Sequence, residues 1–178
     1  MSLYEKVVEF VDEAFKGKKP HFERTVFWLK TFLPTYTEAH EIAAYAHDIE
    51  RGVMGEKDRD YLNPEILKRH QEEGAKIVEE FLFAQGADQM LIEKVKHLIN
   101  RHEVGGDEEQ NTLMDADSVS FFETNAEMFV LNRVKEDGYV QIREKLDWMF
   151  NRISTEERKV FARENYEKWS AELEKLKK

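Results

Sequence analysis

Apolar residues recur along the chain at intervals of three and four, no stretch sustains period-two alternation, and only 3 Pro and 8 Gly interrupt the pattern. A helix buries one stripe with that period, whereas a half-buried strand requires alternation, so the spacing predicts an all-α helical bundle. Caps and breakers divide it. Ser2-Leu3-Tyr4-Glu5 has the form of a capping box and opens a first helix that turns Val7, Val8, Val11, Ala14 and Phe15 inward until Gly17. Pro20 opens a second, about 21–32, with His21, Thr25, Trp28 and Phe32 on one stripe, and Pro34 ends it. Thr37 caps a third, whose Ile42, Ala43, Ala46 and Ile49 lead through His47-Asp48-Ile49-Glu50-Arg51-Gly52 into a charged connector over 52–62.

Asn63-Pro64 restarts a long helix with Leu67, His70, Gly74, Ile77, Val78 and Phe81 on one face, ending at Gly86. Further helices are expected over about 88–103, over 113–135 as the centre of the bundle, from Gly138 to about Asn151, and from a second capping-box form at Ser154-Thr155-Glu156-Glu157. The last of these is expected to fray over 172–178. At 178 residues the chain is long enough to bury roughly 70% of its unfolded surface, and no repeat or linker divides it. One domain over 1–178 is therefore expected.

The chain has no cysteine, so any bound metal must rest on His, Asp or Glu. Its 37 acidic and 27 basic residues give a net charge of -10, which argues against a general binder of nucleic acid or anionic membranes. No apolar run approaches the ~20 residues of a membrane span. The opening MSLYEKVVEF also lacks a basic segment followed by an apolar one, and a cytoplasmic protein is expected.

Histidine and aspartate on apolar helix faces are the chemical anomaly. His21 lies in line with Trp28 and Phe32, His70 with Leu67 and Phe81, and His102 with Val95, Leu98 and Ile99. Asp115 and Asp117 enter the central helix amid Leu113, Met114, Val119 and Phe121, where a buried carboxylate costs several kcal/mol unless something positive meets it. Singly, each histidine reads as a hydrogen-bonded core residue. As a set, His21, His47, Asp48 and Asp117 offer the mixed nitrogen and oxygen ligands that suit a divalent cation such as Mn, Mg, Co, Ni, Fe or Zn. If 47 and 48 lie on one helix their side chains diverge by ~100°, and both must turn inward to share an ion. Asp115 points ~200° away from Asp117 and reads as a capping residue or a support for the ligands, His40 sits ~10 Å along the helix from His47, and His97 falls on the polar face.

The order of these residues resembles the HD-domain metal-dependent phosphohydrolases, a helical family with an isolated His, a His-Asp doublet and a later Asp in an Ala-Asp-x-apolar context. The corresponding segments are His21-Phe22-Glu23-Arg24, His47-Asp48 and Asp115-Ala116-Asp117-Ser118-Val119. The resemblance covers about 20–125, which it implies is the metal-site core, with packing helices over about 138–177. The resemblance implies an HD-type bundle in which His21, His47, Asp48 and Asp117 hold one divalent cation, Asp48 also orienting a water that attacks a phosphate ester of a small metabolite or nucleotide. His70-Gln71-Glu72-Glu73-Gly74 and His102-Glu103 resemble segments that carry a second metal in the cyclic-dinucleotide branch of that family. Arg101 stands where that branch has another histidine, and its Gly-Tyr-Pro hallmark is missing. His70 and His102 are accordingly expected to act as partial second-metal ligands, or as proton donors and phosphate contacts, with one ion per chain favoured over two. Arg24 and Arg51 are the expected phosphate contacts, and Lys57 and Arg59 in the connector are candidates to close over substrate. A homodimer is compatible with this reading. Two alternatives stand beside it: a di-metal hydrolase or oxygenase that uses His70 and His102, and a non-catalytic helical binding or regulatory protein that retains metal.

Overall fold

The capping box at Ser2 forms as expected: its hydroxyl accepts from the Glu5 N–H while the Glu5 carboxylate accepts from the Ser2 N–H at 2.6 Å, and α1 (Leu3–Ala14) follows. In the computed structural model residues 1–55, 60 and 62–177 are described. Every regular element among them is helical: α2 (Pro20–Phe32), α3 (Glu38–Ala46), α4 (Ile49–Met54), α5 (Pro64–Ala84), α6 (Gln89–Ile99), α7 (Glu108–Thr124), α8 (Ala126–Met128), a π-helical segment (Phe129–Arg133), α9 (Val134–Asp137), α10 (Tyr139–Asn151) and α11 (Glu156–Glu174). The all-α class read from the spacing is the observed one. No helix among the described residues is long and apolar enough to cross a membrane. Lys57 and Arg59 of the connector lie outside the described residues.

The bundle is built around α7, in which every residue from Thr112 to Phe122 is buried. It runs against α2 over most of its length and also meets α3, α6, α10 and α11. α5 and α6, joined by a short connection, pack against each other, and α3 is packed between α1, α2 and α6. Three boundaries differ from those read in the sequence. The central helix stops at Thr124 rather than reaching 135. The apolar stripe continues across the break through buried Ala126, Phe129 and Val130, so periodicity alone merges these pieces. α6 ends at Ile99, and 101–104 form a turn. Thr155, not Ser154, caps α11, because the backbone N–H and hydroxyl of Ser154 are both taken by the Asp115 carboxylate. α11 also persists to Glu174 with Leu173 fully buried, so packing holds 172–174, the first part of the 172–178 segment expected to fray.

Candidate metal centre

His47 and Asp48 sit at the junction between α3 and α4, not on a continuous helix: His47 is the C-cap of α3, and Asp48, with φ -98° and ψ 13°, is the N-cap of α4. The kink removes the ~100° divergence expected of neighbours on a helix and lets both side chains face inward. The turn after α6 does the same for His102 and Glu103, which are buried side by side.

Four imidazoles are held in one way. Each is fixed through Nδ1: the His47 Nδ1–H donates to the Ala44 carbonyl at 2.9 Å, that of His102 to the Ile99 carbonyl at 2.8 Å, and that of His70 to Glu50 Oε2 at 2.9 Å. His21 Nδ1 lies 2.9 Å from the hydroxyl of Ser120, which itself donates to the Asp117 carbonyl, so the imidazole N–H is the donor between them. Every Nε2 then points at carboxylates. His21 Nε2 is 3.1 Å and His47 Nε2 3.5 Å from Asp117 Oδ1, while His47 Nε2 is 3.8 Å from Asp48 Oδ2. His70 Nε2 and His102 Nε2 lie 3.0 and 3.8 Å from the other oxygen, Asp48 Oδ1, and 3.9 and 3.8 Å from Glu103 Oε1. Asp48 therefore stands between two clusters, His21, His47 and Asp117 on one side and His70, His102 and Glu103 on the other, and ligand atoms of its own cluster lie within 4.8 Å of one another both for His21, His47 and Asp48 and for Asp48, His70, His102 and Glu103.

The electrostatics suit a cation. The Nε2 atoms of His47 and His102 are buried and have no hydrogen-bond partner, although imidazole nitrogens turned toward carboxylates normally find one. Burial opposes charge on His47, but Asp48 and Asp117 overcome it and push its pKa up to about 9. Burial likewise opposes charge on His70, yet its bonds to Asp48 and Glu50 raise it. For His102 burial prevails and lowers its pKa to about 4, leaving a neutral imidazole. Despite burial, Arg51, His47 and His70 hold Asp48 well below the usual carboxylate range, and Arg152 does the same for Asp117. Burial is overcome at Glu103 too, whose pKa Arg152, Lys145 and His102 bring down to about 2. Anionic carboxylates facing imidazoles whose Nδ1 positions are already occupied form the donor set, and the carboxylate–histidine support, of metal sites in proteins without thiolates.

The residues singled out in the sequence fall as follows. His21, His47, Asp48, Asp117, His70 and His102 come together. Arg51 reaches the same place, its guanidinium 3.4 Å from both Asp48 Oδ1 and Glu103 Oε1. Arg24 is instead held by Glu123 in a bidentate pair at 2.6 and 2.9 Å and stacks on Phe27. Asp115 is fully buried against Ser154 and Arg158, capping the chain there, and His40 closes the capping box of α3 with Thr37. His97 is half exposed and paired with Asp107. The sequence offers Glu103 only through the resemblance of His102-Glu103 to a second-metal segment, without naming it a ligand, and it does not mark Glu50 or Arg152 as members of the centre. A helix continued to 103 sets neighbouring side chains ~100° apart, and the turn after Ile99 removes that divergence. Arg152, in the segment read as packing helices, had none.

Beside the second cluster opens a cleft of about 640 Å³ lined in part by Leu67, Gln71, Arg101 and Trp148. Gln71 joins it to the centre, its side-chain oxygen accepting from the Glu103 N–H at 3.0 Å.

A family model described as "Domain of unknown function (DUF4202)" matches residues 11–176 of the chain. No curated protein and no solved structure matches it.

Proposed function

We propose that this chain, which belongs to the DUF4202 family, is a metal-dependent phosphohydrolase acting on a phosphate ester of a small metabolite or nucleotide, with two divalent cations sharing Asp48. The observation that carries the reading is the convergence of four Nε2 atoms, each with its Nδ1 already occupied, on three carboxylates. The resemblance of His21, His47-Asp48 and Asp117 to the HD-domain pattern points the same way. His21, His47, Asp48 and Asp117 would hold one ion, and Asp48, His70, His102 and Glu103 the other. A divalent cation so bound lowers the pKa of a coordinated water toward neutrality and offsets the charge of a phosphate.

The chain's own residues have defined parts. Glu50, Ser120 and the carbonyls of Ala44 and Ile99 fix the imidazole orientations, which keeps the ligand atoms in place without reorganisation. Arg51, partly exposed at the edge of the centre, contacts the phosphate. In a protein of net charge -10, a local guanidinium is needed to draw an anion in. The neighbouring cleft takes the organic part of the substrate, which fits a small molecule better than a polymer.

Metal analysis of the purified protein, followed by a phosphoester panel with Mn, Mg, Co and Ni, tests this. The expected result is bound metal and metal-dependent hydrolysis, reduced at least 100-fold in His47→Ala and Asp117→Asn. Absence of metal binding, or equal hydrolysis by both variants, overturns it. Turnover that requires iron and dioxygen would assign the centre to an oxygenase, and metal bound with no turnover of any phosphoester would assign it to a binding or regulatory protein.

A further inference from the structure

Arg152, the C-cap of α10, belongs to neither cluster yet touches a carboxylate of each. Its Nη2 donates to Asp117 Oδ2, and its Nη1 donates to Glu103 Oε2 at 2.5 Å and to the Glu103 carbonyl at 3.1 Å. Nε donates to Ser118 Oγ at 2.8 Å, and the guanidinium carbon lies over the Trp148 ring, 4.3 Å from its centroid. The side chain is only 6% exposed. With these bonds made and its face covered, the guanidinium has little left to offer a substrate, so it is not a phosphate contact.

What it does instead follows from which oxygens it takes. Asp117 gives Oδ2 to Arg152 and turns Oδ1 toward His21 and His47; Glu103 gives Oε2 to Arg152 and turns Oε1 toward His70 and His102. A carboxylate on its own pivots about its last torsion, and a rigid fork on one oxygen fixes where the other points. We infer that Arg152 is a positioning residue that sets the ligand oxygens of Asp117 and Glu103 together, so that one guanidinium organises both ion sites. This assignment rests on the two-ion reading above and adds to it a residue from the C-terminal helices.

Titration of chelator-treated protein with Mn²⁺ or Co²⁺ by calorimetry tests it. Arg152→Gln is expected to weaken both sites by about 10- to 100-fold, the usual effect of removing a group that orients ligands. Arg152→Lys keeps the charge but, with a single ammonium, serves one carboxylate and should weaken one site more than the other. Arg158→Gln is the control: it removes a comparable arginine from a buried aspartate, Asp115, that faces neither cluster, and it should lower the melting temperature while leaving both affinities unchanged. Unchanged or tighter binding by Arg152→Gln overturns the inference while leaving the metal reading intact. Equal weakening by Arg158→Gln, or full rescue by Arg152→Lys, also overturns it, as general destabilisation or simple charge would then be the cause. Wild-type protein that binds neither ion overturns the two-ion reading itself, and the inference falls with it.

Discussion

His70 Nε2 lies 3.0 Å from Asp48 Oδ1, bringing α5 against the junction of α3 and α4 and making Asp48 common to two clusters of imidazoles. Shared ligands make a strong prediction about stoichiometry. Elemental analysis after loading and desalting should give two ions per chain for wild type, one for His21→Ala or His70→Ala, and none for Asp48→Asn. Two retained ions in Asp48→Asn would separate the clusters.

On the proposed function, the proton on His47 competes with a cation for the same nitrogen. With its pKa pushed up to about 9, His47 carries that proton at pH 7 and must release it on binding. Apparent affinity should therefore rise with pH up to about 9, and calorimetry in two buffers of different ionisation enthalpy should register proton release. An affinity independent of pH between 6.5 and 9 contradicts this.

The same proton affects the stability of the chelator-treated protein. Folding raises the pKa of His47 above its ordinary 6.5, so its contribution is fully present below pH 6.5 and is lost as pH rises through about 9. The loss is on the order of 3 kcal/mol, the free-energy equivalent of the shift. Chemical denaturation of wild type and His47→Gln at pH 6 and 9.5 measures it: wild type should lose stability at the higher pH, and the variant much less.

Arg51 and Arg24 both lie within a turn of candidate ligands in sequence, yet only Arg51 contacts the centre, while Arg24 is engaged by Glu123. On a phosphoester that wild type turns over, Arg51→Ala should lower kcat/KM by roughly 10- to 100-fold, about 1.4 to 2.8 kcal/mol of transition-state binding. Arg24→Ala should stay within about threefold. Equal losses in the two would place the phosphate elsewhere.

Asp115→Asn tests the division of labour between the two aspartates of α7. Asp115 is fully buried and bonded to Arg158 and to the N–H and hydroxyl of Ser154. Its replacement removes the charge that meets a partly exposed arginine, weakens the bonds to Ser154 and should cost about 1–3 kcal/mol in chemical denaturation. Metal stoichiometry should remain that of wild type, because its carboxylate is turned from both clusters.

Much of the fold is local and therefore legible. Apolar spacing and the caps at Ser2, Asn63 and Asp88 determine where helices lie, since each is a matter of residues within one or two turns. Absence of cysteine likewise restricts any bound metal to nitrogen and oxygen ligands, and the order His21, His47-Asp48, Asp117 carries the resemblance to the HD-domain pattern. The partnership across the centre is not local. His21 meets Asp117 across two packed helices, and Arg152 reaches Glu103 over 49 positions, distances in sequence that no periodicity reports. Nor does the sequence show that the chain kinks at Asp48 and turns after Ile99. Helix geometry alone sends neighbouring side chains ~100° apart, and only the tertiary packing of α3, α4, α5 and α6 breaks the helices where His47 with Asp48, and His102 with Glu103, must face the same way.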